Sequence, residues 1–204
     1  MNKTELSLYI AEKLDKKKLQ LQNDFFKQNS RTSTKYLMLD DLLPQHLVNS
    51  TFESFPKKSM YHFKNTFREK KYTFAKLDQL DSHLPSILTD AFQSKEVIKS
   101  ISDITKIPDL EGDPSLYAGG LSRMDKSHFL NPHIDNSHDS KKLRYRRLNI
   151  LFYISPGIKE SDGGNFELWD QRVKKPLKIP SLFNRLVIME TTKTSWHSVD
   201  EVIS

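Results

Sequence analysis

The segment His133-Ile134-Asp135 contains two side chains that can bind a metal ion. Residues separated by one position lie on the same face of an extended segment, so the imidazole and the carboxylate can reach one ion. A histidine and an aspartate at this spacing are also common by chance, and on this evidence alone a polar turn is the better explanation. A metal site therefore requires a third ligand from elsewhere in the chain.

His197 is the candidate for this third ligand, because it follows a strand-like run, RLVIME, and a short polar loop. Two histidines and one carboxylate on one face of an ion leave three coordination positions open, which is the arrangement of non-haem Fe(II) oxygenases. We therefore predict that His133, Asp135 and His197 are the metal ligands and the catalytic centre. His128 and His138 lack a suitably spaced acid and are interpreted as loop residues.

The elements that must position these ligands divide the chain into two parts. Residues 115–204 predict a β-rich catalytic core, because short strand-like runs alternate with turn signals; the runs are SLYAGGLSRM, RRLNILFYIS, GNFELWD, PLKIP and RLVIME. Residues 1–110 predict mainly helical support, with helical spacing of apolar residues in 1–29 and 84–107. We expect one α+β domain spanning residues 1–204.

Two smaller features of the first part are also predicted. Residues 36–39 read as a short strand, and Asp40 or Asp41 is expected to cap the helix that follows, with Pro44 in its first turn. Residues 57–76 mix aromatic and basic residues and give no secondary-structure prediction.

The composition restricts the class of protein. The 204 residues include no cysteine, which excludes disulfides, thiolate ligands and a cysteine nucleophile. No signal-peptide pattern or membrane span is present, so we expect a cytoplasmic protein without a membrane partner. The net charge of +6 fits either a solvated surface or a basic rim for an anionic substrate. No nucleic-acid motif occurs, and a homo-oligomer is left open.

The order of four segments resembles a known family. Four segments within residues 115–204 follow one another in the order HID, RRLNILFYIS, GGNFELWD and NRLVIMETTKTSWHSV. This order resembles that of the Fe(II)/2-oxoglutarate-dependent oxygenases of the prolyl-4-hydroxylase-like superfamily. The resemblance implies a double-stranded β-helix (jelly-roll, cupin-like) core with N-terminal supporting helices. It also implies Fe(II) held by His133, Asp135 and His197, with 2-oxoglutarate and O₂ as co-substrates and ascorbate as an accessory reductant.

The same resemblance implies an activity. Such a dioxygenase hydroxylates an unactivated C–H of a small molecule or a peptidyl residue and releases succinate and CO₂. Related halogenases lack the carboxylate ligand, so Asp135 favours hydroxylation over halogenation.

Candidate co-substrate contacts follow from the strand that contains NILFY. Asn149, Leu151 and Tyr153 share one of its faces, and in the resembling enzymes this face lines the co-substrate pocket, where Tyr153 would bind the distal carboxylate. The alternative interpretation is that this is an ordinary core strand without a role in co-substrate binding. Val199 would face the same pocket. Arg123 could bind a carboxylate in bidentate fashion, although a surface ion pair explains it equally well.

One departure from the family pattern leaves the function open. The family normally carries an arginine or lysine on the strand after the distal histidine, whereas this sequence ends at Ser204. We expect a core that lacks its C-terminal strand; the alternative is that another basic residue, such as Arg123, takes that role. The alternative function is a catalytically impaired, cupin-like binding module for a sugar, peptide or anionic ligand. A basic partner-binding protein is a further alternative, and a zinc hydrolase is disfavoured because no HExxH motif occurs.

Overall fold

The structure, a computed structural model, describes residues 1–117 and 119–204. The helices in these residues are α1 (Lys3–Lys16), α2 (Lys18–Phe26), α3 (Gln45–Glu53), α4 (Leu84–Phe92) and α5 (Lys95–Thr105). The strands are β1 (Tyr36–Leu39), β2 (His62–Asn65), β3 (Glu69–Phe74), β4 (Leu121–Arg123), β5 (Phe129–His133), β6 (Leu148–Tyr153), β7 (Phe166–Leu168), β8 (Leu177–Ile179), β9 (Arg185–Glu190) and β10 (His197–Val199). No helix in the described residues is long and apolar enough to span a membrane.

The helices form where the apolar spacing predicts them, but both long segments are interrupted. The segment 1–29 forms α1 and α2, which meet at Lys17, and its apolar face is buried at Leu6, Ile10 and Leu14. The segment 84–107 forms α4 and α5, because Ser94 starts a new helix by accepting a hydrogen bond from the Val97 amide at 3.3 Å. α1 packs against both of them.

The predicted cap of α3 is wrong. Pro44 occupies the capping position without a side-chain hydrogen bond, because its fixed φ already suits the start of a helix. Asp40 instead binds the Arg185 guanidinium, whose Nη2 lies 2.8 Å from Oδ2 of the carboxylate. The aspartate therefore connects the end of β1 to the start of β9 rather than starting a helix.

Two antiparallel sheets form the double-stranded β-helix core that the sequence predicts. The first sheet has the order β1-β9-β6, and the second has the order β2-β3-β5-β10-β7-β8, with β4 paired to β3. β9 is buried on both faces: Leu186 and Ile188 join the core beside the helices, and Val187 and Met189 face the second sheet. This double burial explains the continuous apolar run LVIM.

Residues 57–76, which carry no recognisable secondary-structure pattern, contain a hairpin formed by β2 and β3. The hairpin belongs to the second sheet, because β3 pairs with β5 at Glu69 opposite Leu130. Of the run 115–124, three residues form strand β4, and Ala118 lies outside the described residues. The mainly helical part of the chain thus also contributes to the sheet that carries the candidate site.

The strand β6 has a neighbour on one side. Within the described residues it pairs with β9. Its residues Asn149, Leu151 and Tyr153 line a cavity that residues of the second sheet, among them Leu130 and Phe166, also line.

Candidate metal centre

The three predicted ligands come together at the ends of two paired strands. β5 ends at His133 and β10 begins at His197, and these two residues lie directly opposite each other in the ladder. Asp135 follows β5 by two residues. Nε2 of His133 is 3.7 Å from its Oδ1, and Nε2 of His197 is 3.5 Å from its Oδ2. One ligand atom from each residue lies within 4.8 Å of the other two.

The orientation of both imidazole rings is set by the backbone. Nδ1 of His133 lies 2.9 Å from the carbonyl oxygen of Asn131, and Nδ1 of His197 lies 3.0 Å from that of Ser195. A carbonyl oxygen only accepts, so each Nδ1 carries the proton and donates it. Each Nε2 is therefore left with its lone pair, in the tautomer that binds a metal.

The electrostatic surroundings favour the metal-binding protonation states. Burial alone would raise the pKa of Asp135, but four neighbouring groups together hold this pKa well below its usual range. These groups are the His133 and His197 imidazoles, the Asn149 amide, which donates to Oδ2, and Arg146, 3.6 Å away. Burial, followed by the adjacent His133, lowers the pKa of the His197 imidazole. An ionised Asp135 and a neutral His197 are the states that metal binding requires.

The donor set fits a ferrous ion. Two imidazole nitrogens and one carboxylate oxygen on one side of an ion, with the other side open, suit non-haem iron. His128 lies apart from the cluster and packs against Phe63 and Tyr72. His138 stacks on Tyr145.

A cavity of about 970 Å³ opens on the three ligands. Four of the five residues predicted as co-substrate contacts line it, namely Asn149, Leu151, Tyr153 and Val199. Burial raises the pKa of Tyr153 above its usual range, so its hydroxyl stays protonated and can donate a hydrogen bond. The fifth residue, Arg123, does not line the cavity, and its Nε lies 2.8 Å from Oδ1 of Asp125.

Sequence reasoning missed the basic residues of the cavity wall. Lys64, Arg68 and Lys71 line the cavity and come from the β2–β3 hairpin. Arg146 lines it near Asp135. The alternation of residues along 69–74 was the available signal, but it was too short to predict a strand beside the metal ligands.

Residues 119–204 match the family described as the 2OG-Fe(II) oxygenase superfamily, and no curated protein matches the chain. A prolyl 4-hydroxylase structure from Phytophthora capsici superposes with a TM-score of 0.62 at 21% identity. The superposition covers 96% of this chain and 61% of the Phytophthora chain. The chain thus spans about three-fifths of the length of that protein.

Two further solved structures share the fold. A prolyl-4-hydroxylase from Pseudomonas putida has a TM-score of 0.55 at 12% identity, with 96% of this chain and 92% of that chain covered. A prolyl hydroxylase from Trichoplax adhaerens, in complex with a hypoxia inducible factor oxygen degradation domain peptide fragment, has a TM-score of 0.57 at 15% identity, with 95% and 86% covered.

The family match over residues 119–204 and the fold shared with solved prolyl hydroxylases bear out the resemblance predicted from the motif order. The cofactors that this family implies are Fe(II), 2-oxoglutarate and O₂, and the cluster of His133, Asp135 and His197 offers the matching ligands.

Proposed function

We propose that the protein is an Fe(II)- and 2-oxoglutarate-dependent dioxygenase that hydroxylates a C–H of a peptidyl residue or a small molecule and releases succinate and CO₂. The observation that carries this proposal is the cluster of His133, Asp135 and His197 at the mouth of a cavity between two sheets. The peptide bound to the hydroxylase from Trichoplax adhaerens supports a peptidyl substrate.

When Fe(II) and 2-oxoglutarate are bound, they supply the oxidising chemistry, and the residues of the chain supply position and charge. His133 and His197 present their Nε2 atoms to the ion because their Nδ1 atoms are bound to the backbone. Asn149 and Arg146 keep Asp135 charged and oriented. These contacts hold the ligand set ready before the ion arrives, which reduces the free energy needed to organise it.

The face of β6 gives the co-substrate a polar and an apolar surface. We infer that the Tyr153 hydroxyl donates a hydrogen bond to the distal carboxylate of 2-oxoglutarate, and that Leu151 and Val199 exclude water from the carbon chain. All three residues line the cavity that contains the metal ligands. Arg123 is a poor candidate for a co-substrate contact, because Asp125 already binds it at the surface.

The whole chain, residues 1–204, is proposed as one oxygenase domain. In support, the sheet that contains both histidines extends without interruption into the β2–β3 hairpin of the first half. The alternative of a catalytically impaired binding module is not favoured, because the ligands and the hydrogen bonds that orient them are all present.

The test is the absorption of the anaerobic protein after addition of Fe(II) and then 2-oxoglutarate. Chelation of 2-oxoglutarate to iron produces a visible charge-transfer band, and exposure to O₂ should then release succinate. His133→Ala and His197→Ala should abolish the band, since each removes one ligand. His138→Ala is the matched control, because this histidine lies in the same segment but stacks on Tyr145 away from the cluster.

A wild-type protein that shows neither the band nor succinate release would contradict the proposal. An equal effect of the His138 and His197 substitutions would also contradict it, because the ligand assignment requires them to differ.

A further inference from the structure

The β2–β3 hairpin forms a basic wall of the cavity. Lys64, Arg68 and Lys71 all line it, and one acid, Glu69, lies among them. Nζ of Lys71 is 3.0 Å from a Glu69 carboxylate oxygen, and Nζ of Lys64 is 3.6 Å from the other. Arg68 has no ion-pair partner among the described residues. Three cations beside one carboxylate leave an excess of positive charge on this wall.

The tip of the hairpin is held in a fixed position relative to the metal centre. Asn131 donates its backbone amide to the carbonyl of Arg68 at 2.8 Å and its side-chain amide to that of Phe67 at 2.6 Å. The carbonyl of the same Asn131 accepts the Nδ1 hydrogen bond of His133. One residue of β5 therefore fixes both the hairpin tip and a metal ligand.

Arg68 faces the same cavity as the metal centre. The cavity is lined by Arg68 and by all three metal ligands, His133, Asp135 and His197. A substrate bound in this cavity beside the metal centre can therefore meet the cation at the hairpin tip. Arg146 cannot take this role as readily, because Asp135 lies 3.6 Å from its guanidinium.

The hairpin tip also carries an apolar contact surface. The Phe67 side chain is 93% exposed, beside the exposed Arg68. A neighbouring aromatic ring and cation suit a peptide segment that presents an apolar residue and an acid. The cavity volume, about 970 Å³, lies at the upper end of the range for ligand pockets, so it has room for a segment larger than the co-substrate.

We propose that the substrate is a peptide segment with an aspartate or glutamate near the residue that is oxidised, and that Arg68 selects it by binding that carboxylate. This inference rests on the proposed dioxygenase function and specifies its substrate class. Lys64 and Lys71 strengthen the attraction, and Phe67 covers the adjacent apolar residue of the peptide.

The test is the binding of three matched fluorescein-labelled peptides, each with a central proline flanked by glutamate, glutamine or lysine. Fluorescence anisotropy is measured with protein loaded with Mn(II) and 2-oxoglutarate, so that no turnover occurs. We expect the glutamate peptide to bind about two- to fivefold more tightly than the glutamine peptide, as for an exposed ion pair. The lysine peptide should bind more weakly than both, and high salt should reduce the differences.

Arg68→Glu should bring the ratio of the glutamate and glutamine affinities close to one. Lys76→Gln is the matched control, because Lys76 is exposed and lies outside the cavity lining, and it should retain the wild-type ratio. Equal affinities for the three peptides, no binding of any peptide, or an unchanged ratio in Arg68→Glu would each overturn the inference.

Binding of Mn(II) and of 2-oxoglutarate is measured first on the same samples. A protein that binds both but shows no charge preference contradicts the role of Arg68 alone. A protein that binds neither contradicts the proposed function, and the inference falls with it.

Discussion

Asn149→Ala should weaken metal binding without removing a ligand. The Asn149 amide donates to Oδ2 of Asp135, and a hydrogen bond to a charged group contributes about 1.5–3 kcal/mol. Arg146 remains 3.6 Å from the same oxygen, and water can enter beside an alanine. The loss of binding free energy should therefore lie at the lower end of this range. We therefore expect about tenfold weaker metal binding, in the range usual for residues that orient a ligand.

The assay is an anaerobic competition titration of Fe(II) against a chromophoric chelator. Ile150→Val is the matched control, because side chains alternate along a strand and Ile150, the next residue of β6, points to the face opposite Asn149. An unchanged affinity in Asn149→Ala would refute the role of the amide. An equal loss in the control would show that a general disturbance of β6, and not the hydrogen bond, is responsible.

Three further substitutions test the fold. Arg185 holds the pKa of Asp40 below its usual value, so the pair stabilises the fold above the unfolded-state pKa and is lost as the pH falls through the folded-state pKa. Asp40→Asn should therefore lower the free energy of unfolding at neutral pH by about 1 kcal/mol, discounted for the exposure of Asp40, and flatten its acid dependence in urea titrations. Gly163→Ala should lower the melting temperature measured by circular dichroism, because φ is +74° and a Cβ would clash with the Glu201 carbonyl oxygen. Ser94→Ala should lower the free energy of unfolding, measured by chemical denaturation, by about 1 kcal/mol, because it removes the N-terminal cap of α5. Unchanged stability in any of the three would contradict the contact assigned to that residue.

The sequence predicted the parts of the fold that repeat a simple pattern. The apolar period of α1 is visible at Leu6, Ile10 and Leu14, and the doubly buried β9 is visible as a continuous apolar run. The approach of His197 to His133 could be predicted because the order of the motifs resembles that of a known family. The fold was confirmed, and the family match covers residues 119–204, whereas the roles of the individual site residues stay predictions.

Other features depend on contacts between residues distant in sequence. Asp40 looked like a helix cap, but its partner Arg185 lies 145 residues away along the chain, and no local pattern indicates such a pair. Arg123 could be predicted to bind a carboxylate, and it does so at the surface, with Asp125. The β2–β3 hairpin was missed because its strands are half-exposed and its register is set by β5. Tertiary pairing decides such strands more than local propensity does.

The pairing of His133 opposite His197 has a consequence for folding. Side chains alternate along a strand, so a slip of one residue between β5 and β10 would turn one imidazole to the far side of the sheet. A divalent ion bound by both rings would therefore select a single alignment of two strands that come from distant parts of the chain. Since such an ion binds the native alignment and not the slipped one, increasing the concentration of the ion should raise the thermal stability of the domain.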